Sequence, residues 1–290
     1  MDYVFHILII ISIYAVLAGS LELLVGHTGL VSISHAAYYG LGAYLAAIVT
    51  LRLGLPLLFT VPMAMAGTAV LAMLVSRPLC RLREDSFALG TLCVQQIFSC
   101  VWRNWTGVTG GPMGISGIPQ PVLLGERLAS NLPFLFLAST VAAASMLVFW
   151  RVGVSPFGRV LRAIRDDEVF AVSLGKKTVR AKYSVLVLSA AFAGLAGSLF
   201  AYYLSFIDPT SFTLDESVLI LAMVIIGGAG AFRGAVLGAA LLVLLPEALR
   251  FLGLPSGAAG NIRQIVYGAV LILVLALRPR GLVGTISLSR

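Results

Sequence analysis

Apolar residues run along the chain in nine long segments, which are separated by short polar or glycine- and proline-rich stretches. The segments are residues 4–25, 30–51, 57–75, 87–101, 132–150, 183–204, 217–226, 235–249 and 265–277. A helix needs about 20 mostly apolar residues to cross a bilayer, and it satisfies its backbone polar groups internally. The pattern therefore predicts an all-α, polytopic transmembrane helical bundle. About nine spans are expected, with a range of eight to ten because the seventh segment is short.

The polar stretch 155–175 has the features of a helix that does not cross the membrane. Ser155 is a suitable N-cap, and Pro156 suits the first helical position, where a backbone N–H is not needed. Gly175, followed by two lysines, is a matching stop signal. Apolar side chains at helical spacing fall on one face, so the pattern predicts one amphipathic helix of about 18 residues between two spans.

Charged side chains of both signs occupy the other face of this predicted helix. Arg162 could pair with Asp166 at a spacing that brings side chains together, and Arg165 could pair with Glu168 in the same way. A helix resting on lipid headgroups is one interpretation, but anionic headgroups favour an unmixed basic face. The alternative is a cytoplasmic coupling helix that lies in a groove of an ATPase. The residues predicted to couple are Arg159, Arg162, Arg165, Asp166, Asp167, Glu168 and Gly175.

Glycine-containing interruptions near the ends of two apolar segments indicate where a transport pathway would lie. One is the run 26–29, which several hydrogen-bonding side chains follow, and the other is the run 227–230. Ionisable residues near a span normally face the bundle interior or a water path. Each also lies near a plausible helix end, where an interfacial or structural role is the alternative. The candidates for the translocation pathway are Glu22, His27, Thr28, Ser32, His35, Gly227 and Gly228.

Small residues recur at four-residue spacing in several apolar segments. Ser189, Ala193, Gly197 and Ala201 form one such row. Because this spacing lets helix backbones approach closely in lipid, we expect close helix packing here. A gate whose helices slide past one another is compatible with the same pattern.

Composition excludes a water-soluble fold. Of the 290 residues, 59% are hydrophobic and 11% are charged, and the mean hydropathy is +1.01. A typical soluble domain carries about 25% charged residues, so this chain could not cover a surface in water. The spans leave no room for a separate soluble catalytic domain, and residues 1–290 are expected to form a single transmembrane domain.

The net charge of +8 follows membrane topology and does not indicate nucleic-acid binding. Fifteen of the twenty Lys and Arg residues fall in 76–86, 151–182, 228–234 and the C-terminal stretch, between apolar segments. Cytoplasmic loops of membrane proteins carry an excess of Lys and Arg. These stretches are therefore predicted to be cytoplasmic, which places the C-terminus inside and, with nine spans, the N-terminus outside.

The sequence contains no motif of catalytic, cofactor-binding or metal-binding chemistry. The run Gly-Lys-Lys-Thr at 175–178 is not a phosphate loop, because Phe170 replaces the upstream glycine and Lys177 replaces the required Ser or Thr. The three cysteines have neither disulfide nor metal spacing. No catalytic residue, cofactor or metal is predicted, and any ATP hydrolysis would belong to a separate polypeptide.

Five runs of the sequence, spread in order over nearly the whole chain, are residues 21–44, 109–119, 158–201, 226–242 and 278–284. Taken together and in this order, they resemble the permeases of branched-chain amino acid ABC transporters. The stretch 158–201 and the Pro-Glu pair at 246–247 are more similar to the LivM-type subunit than to the LivH-type subunit.

This resemblance implies a subunit of a bacterial inner-membrane importer that is not itself an enzyme. Its partners would be a second, LivH-type permease subunit, two cytoplasmic ATP-binding subunits and a periplasmic substrate-binding protein, all within or against membrane lipid. Its substrates would be branched-chain amino acids or related small polar or amide solutes such as urea. Glu22, His27 and Ser34 depart from the residues usual in the family, which leaves the solute open.

Two other functions are compatible with the pattern of apolar segments. An ion-coupled secondary transporter would use Glu22, His35 or Glu247 as its proton or cation site, and it would work without an ATPase. A membrane-embedded enzyme or scaffold subunit is the third class. The sequence lacks the convergent nucleophile, metal or cofactor residues that such an enzyme would need.

Overall fold

The computed structural model describes residues 2–82, 84–123, 126–127, 130–250, 259–278 and 281–284. Within these ranges the chain is almost entirely helical, with two short antiparallel strand pairs. The helices are α1 Asp2–Thr28, α2 His35–Leu53, α3 Leu57–Leu79, α4 Glu84–Asn104, α5 Thr106–Thr109, α6 Asn131–Val154, α7 Pro156–Asp166, α8 Glu168–Ser173, α9 Thr178–Leu204, α10 Leu214–Gly227, α11 Phe232–Arg250 and α12 Ala259–Leu277. The strands are β1 Ile115–Ser116, β2 Val122–Leu123, β3 Glu126–Arg127 and β4 Phe206–Ile207, and β1 pairs with β4 while β2 pairs with β3.

The all-α, membrane-type character predicted from the apolar pattern is confirmed, but the count of about nine spans is not. In the described ranges five helices are long and apolar enough to cross a membrane: α1, α2, α3, α6 and α9. Helix α10 has only 14 residues, which corresponds to about 21 Å at 1.5 Å per residue. That length is shorter than the hydrocarbon core of about 30 Å.

Helix α9 lies at the centre of the bundle, where it packs against α2 and α3 through small residues. A Cβ atom added at Gly197 would lie 1.9 Å from the carbonyl oxygen of Tyr39. One added at Gly42 would lie 2.2 Å from the carbonyl oxygen of Gly194. No side chain fits such gaps, so the four-residue spacing of small residues produces the close packing expected from the sequence.

The two ends of α1 mark two ends of the bundle. Near its start, Nδ1 of His6 lies 2.6 Å from the hydroxyl of Tyr203, in the last turn of α9. Near its end, Nη1 of Arg165 in α7 donates to the carbonyl of Gly26 over 2.8 Å. We call these the strand end, because β1 and β4 also lie there, and the α7 end.

The connection between α1 and α2 folds back beside α1. The predicted second apolar segment begins at residue 30, whereas α2 begins only at His35. Nε2 of His35 lies 2.8 Å from Oγ of Ser20, about two turns before the end of α1. Residues 29–34 therefore form a non-helical connector that runs along the last turns of α1. Irregular backbone at membrane depth is tolerated only when protein covers it, and Ser32 and Ser34 in this connector are buried.

Candidate functional site

The segment predicted to form a coupling helix is helical, but it is broken into two helices. Ser155 caps α7 as expected, since its Oγ accepts from the N–H of Gly158 at 3.2 Å. The prediction of a single helix of about 18 residues is wrong, because Asp167 adopts an extended conformation between α7 and α8. Its Oδ1 accepts from the N–H of Phe170 at 2.9 Å, so Asp167 caps the start of α8. Aspartate competes with a helical backbone in this way, which makes it a favoured N-cap and a poor interior residue.

The two ion pairs predicted within this segment, Arg162 with Asp166 and Arg165 with Glu168, are not formed. Arg162 donates to the carbonyl of Gly153 over 2.7 Å and does not pair with Asp166. Arg165 pairs with Asp166, its neighbour in sequence, at 3.0 Å, and it also donates to the carbonyl of Gly26. The break at 167 removes the helical spacing that the predicted pair of Arg165 with Glu168 required. Both arginines instead tie α7 to backbone at the ends of the neighbouring helices α6 and α1.

Glu168 pairs with a residue that the sequence analysis missed. Its Oε2 lies 2.5 Å from Nζ of Lys182, in the second turn of α9. The Lys182 side chain is 3% exposed and the Glu168 side chain 35% exposed. A lysine at the start of an apolar run signals a topology boundary, and nothing in sequence spacing shows that it is buried. This pair joins α8 to α9.

The surface of α8 is apolar and exposed. Val169, Phe170, Val172 and Leu174 are 80%, 61%, 53% and 61% exposed. The break at 167 orients α8 so that only Ala171 of this helix is buried. Large exposed apolar groups next to charged residues mark interaction sites.

The remaining two predicted coupling residues lie at the surface of this segment. Arg159 is exposed in α7. Gly175 has φ of +74° and ends α8, where its N–H donates to the carbonyl of Val172 over 2.9 Å. The stop signal is therefore where the sequence placed it, because glycine adopts this left-handed conformation without strain.

Glu22 lies buried where α10 turns into α11. Its side chain is fully buried, and its Oε1 accepts from the N–H of Gly230 over 2.6 Å. Among the described residues no group donates to its Oε2. The carboxyl group thus reaches from α1 to the start of α11, a position that favours negative charge.

Gly227 and Gly228 form the same turn. A Cβ atom at Gly227 would lie 2.0 Å from the carbonyl oxygen of Gly234, and Gly228 has φ of +104°. Residues 281–284 cover this turn. The N–H of Leu282 donates to the carbonyl of Ile226 over 2.9 Å, and the N–H of Val283 donates to that of Gly227 over 3.0 Å.

His27 and Thr28 lie at the α7 end of α1. The imidazole ring of His27 stacks on Phe232 with ring centroids 5.0 Å apart, and its Nε2 faces Gly153. Thr28 donates from Oγ1 to the carbonyl of Leu24 over 2.6 Å. Glu22, His27, Gly227 and Gly228 are thus brought together around the start of α11, whereas Thr28 bonds within its own helix.

Ser32 and His35 belong to a second polar group at the start of α2. The hydroxyl of Ser32 lies 3.2 Å from that of Ser34, and His35 contacts Ser20 as described. Three further polar residues complete this group, and the sequence analysis missed them because their partners lie on other parts of the chain. They are Thr91, Gln95 and Ser217, which bond respectively to Ile33 N at 3.0 Å, Phe212 O at 2.9 Å and Ala36 N at 2.9 Å.

These two groups lie on either side of α1, at the glycine turn of α10 and α11 and at the buried start of α2. Each combines backbone groups at the end of a helix with hydrogen-bonding side chains inside an apolar bundle. Such sites coordinate small polar solutes or ions in helical transporters. In the described residues no three His, Cys, Asp or Glu side chains cluster in a way that could hold a metal ion.

Comparison with known proteins identifies the family of the chain. A family model described as branched-chain amino acid transport system / permease component matches residues 3–275. The high-affinity branched-chain amino acid transport system permease protein LivM of Salmonella typhimurium is 34% identical over an alignment of 293 residues. The alignment covers 93% of this chain and 67% of that protein. No solved structure matches the chain.

Two more distant relatives are also permeases, one of them with a different solute in its name. The probable branched-chain amino acid transport permease protein LivM of Methanocaldococcus jannaschii is 26% identical over 71% of this chain and 62% of its own length. The autoinducer 2 import system permease protein LsrC of Escherichia coli is 30% identical over 63% of this chain and 53% of its own length. The family match over residues 3–275 and the apolar helices together establish that this chain is a membrane-integral protein of the branched-chain amino acid permease family.

Proposed function

We propose that the chain is the permease subunit of an ATP-binding-cassette importer, which carries branched-chain amino acids and is driven by separate ATPase subunits. The observation that carries this proposal is the segment 155–175. Its second helix, α8, exposes the apolar side chains of Val169, Phe170 and Val172, while contacts from α7 and α8 reach α1, α6 and α9. A surface that binds one partner and is tied to three long helices is suited to transmit force.

The coupling step follows from these contacts. A partner that grips α8 and moves it would pull on Lys182 through Glu168, and so on the first turns of α9. The same movement would reach α1 through Arg165 and Gly26, and α6 through Arg162 and Gly153. Because α9 packs backbone to backbone against α2, a shift of α9 would be passed on and not absorbed by side chains.

The solute pathway is proposed to pass the two polar groups beside α1. Glu22, His27, Gly227 and Gly228 surround the turn between α10 and α11, and Ser32 and His35 lie at the buried start of α2. Both polar groups contact α1, and the coupling segment also contacts α1 through Arg165. The solute is proposed to be a branched-chain amino acid, and a small polar or amide solute such as urea is the variant that the buried carboxyl and imidazole groups leave open.

We further propose that nine helices cross the membrane, namely α1, α2, α3, α4, α6, α9, α10, α11 and α12. The contact of α1 with α7 at one end and with α9 at the other supports an alternating arrangement. The short α10 would be accommodated because α11 returns beside it and residues 281–284 cover the turn. The excess of Lys and Arg places the α7 end and the C-terminus in the cytoplasm and the strand end outside.

The assembly that follows from this proposal has several subunits in the bacterial inner membrane. A second, LivH-type permease would complete the pathway, two ATP-binding subunits would bind the α7 end, and a periplasmic substrate-binding protein would deliver the solute at the strand end. Residues 1–290 would act as one transmembrane domain, with 155–175 as its coupling segment. The permease names of the relatives support this composition.

The experiment that tests the proposal is uptake of radiolabelled leucine by cells that express the complete importer with the variant Phe170→Ala. Phe170 is 61% exposed on α8, so its loss should lower uptake at least about tenfold if it anchors an ATPase. The control is Phe136→Ala, which removes a 65% exposed ring from α6 and should leave uptake unchanged.

Copurification of the tagged chain in mild detergent separates the remaining outcomes. Recovery of two ATP-binding subunits with wild type, and their loss with Phe170→Ala, is expected. Transport by the purified chain alone, driven by an ion gradient in liposomes without ATPase, would show a secondary transporter and overturn the proposal.

A further inference from the structure

A cavity of about 700 Å³ lies between the end of α3 and the start of α9, at the α7 end of the bundle. It opens at the protein surface, and it is formed by the end of α3, the turn after it and the first turns of α9. None of its residues belongs to the coupling segment or to the polar groups beside α1. The residues that line it are Met73, Leu74, Arg77, Cys80, Arg81, Val179, Arg180 and Tyr183.

Three arginines give this cavity a concentrated positive charge. Arg77 lies in the last turn of α3, Arg81 lies in the turn that follows this helix, and Arg180 lines the cavity from α9. Within the described part of the chain no carboxylate lines the cavity or forms an ion pair with these arginines. Lys182, close by in α9, is already paired with Glu168. The cavity therefore carries unneutralised charge suited to an anion.

The other side of the cavity is apolar and faces the membrane. Met73, Leu74 and Val179 are 43%, 69% and 44% exposed. Met73 lies one helical turn before Arg77 on the same face of α3, towards the centre of the span. The cavity thus changes from basic to apolar along the direction that leads from the membrane surface into its interior.

We propose that this cavity binds an anionic phospholipid, with its phosphate held by Arg77, Arg81 and Arg180 and an acyl chain along Met73, Leu74 and Val179. Arginine binds phosphate with several parallel hydrogen bonds. Basic pockets between transmembrane helices bind lipid headgroups in this way. A free phosphate ion would use the arginines but not the exposed apolar wall, which favours the lipid. The site does not depend on which solute the protein transports.

The position of the site gives the lipid a mechanical role. Arg180 lies two residues before Lys182, so a lipid held between α3 and α9 would fix the first turn of α9, which the coupling segment contacts. Helix α3 has an exposed apolar face beside a buried stripe that runs along its length, so a bound lipid would fill the groove between this face and the start of α9.

The test uses the full-length chain in lipid nanodiscs of phosphatidylcholine, with spin-labelled phosphatidylglycerol or spin-labelled phosphatidylcholine as the probe. The fraction of motionally restricted label is measured by electron paramagnetic resonance. The wild type should restrict phosphatidylglycerol in preference to phosphatidylcholine. In the variant Arg77→Gln/Arg81→Gln/Arg180→Gln this preference should fall by at least about fivefold, because each arginine near a membrane surface contributes roughly that factor.

The matched control removes the same charge from the same end of the bundle. Arg151→Gln/Lys176→Gln/Lys177→Gln replaces three exposed basic residues that do not line the cavity, and it should keep the preference. Equal loss in both triple variants would mean that only the general surface potential attracts the lipid, and it would overturn the proposal. Displacement of the label by inorganic phosphate would identify a free-anion site and would also overturn it. If the cavity variant does not insert, Arg180→Gln alone should still lower the preference severalfold.

Discussion

The buried lysine of the Glu168–Lys182 pair holds the contact between α8 and α9. Nζ of Lys182 is shielded from water and has the Glu168 carboxylate at 2.5 Å as its partner. Leaving a buried charge without its partner costs more than the intact pair contributes. The two residues should therefore behave as a unit when they are replaced.

Glu168→Gln should lower the thermal stability of the protein and uncouple uptake from ATP hydrolysis. The expected cost is about 1–3 kcal/mol, and it should lie at the lower end because Glu168 is partly exposed. Thermal unfolding in detergent, followed by tryptophan fluorescence, measures it. Glu168→Gln/Lys182→Met should recover most of the stability but not the uptake, whereas Lys177→Met should change neither.

Burial of Cys80 makes its thiol a slow nucleophile. This residue follows α3 outside the span, and burial raises the pKa of the Cys80 thiol to about 11, although nearby Lys182 lowers it. Only the thiolate reacts, and the raised pKa keeps the thiol protonated until the pH approaches 11. Alkylation of Cys80 in a Cys93→Ala/Cys100→Ala background should thus be roughly a hundredfold slower at pH 8 than after denaturation, and its rate should rise steeply with pH. A rate that levels off below pH 9 would contradict this prediction.

At the scale of the helix, the break between α7 and α8 is set by a single capping residue. Asp167→Ala removes the acceptor for the N–H of Phe170 and should destabilise α8 by about 0.5–2 kcal/mol. Hydrogen exchange at residues 168–173 should accelerate accordingly, and ATP-driven uptake should fall with it. Asp166→Ala, which removes only an exposed partner of Arg165, is the control and should leave that exchange unchanged.

The sequence predicts the ends of this segment but not its centre. Ser155, Pro156 and Gly175 act through local backbone geometry, which sequence alone encodes, and all three lie where they were expected. Asp167 also signals a cap, but in a run of three acidic residues its signal competes with that of a continuing helix. The partner of Glu168 lies on another helix, so no pattern along the segment could have identified it.

The difference between local signals and contacts with other helices also explains which residues beside α1 could be predicted. The glycine turn at 227–230 could be predicted, because glycine marks backbone positions that other residues cannot adopt. Glu22 was also identified, since a carboxylate in an apolar segment is rare. Its contact with Gly230, however, comes from tertiary packing. The roles of Gln95 and Ser217 could not be predicted, because their hydrogen-bond partners, Phe212 and Ala36, lie far away in the sequence.

At the scale of the whole molecule, the strand end and the α7 end should face opposite sides of the membrane. In a background without native cysteines, Ser116→Cys at the strand end and Ser173→Cys on α8 both place a thiol at an exposed position. A membrane-impermeant maleimide added to intact cells should label the first and not the second, and inverted membrane vesicles should show the reverse. Labelling of both from one side would contradict the proposed topology.

The cover over the turn between α10 and α11 has a consequence for how the protein is made. Two carbonyl groups at the end of α10 are satisfied by Leu282 and Val283, which the ribosome adds only after α11 and α12. Until then these two carbonyl groups lack the donors that they have in the folded protein. Glu22 does not replace these donors, because its carboxylate accepts from the N–H of Gly230. The turn beside Glu22 is therefore covered only after α11 and α12 have been made, so its final packing is one of the late steps of folding.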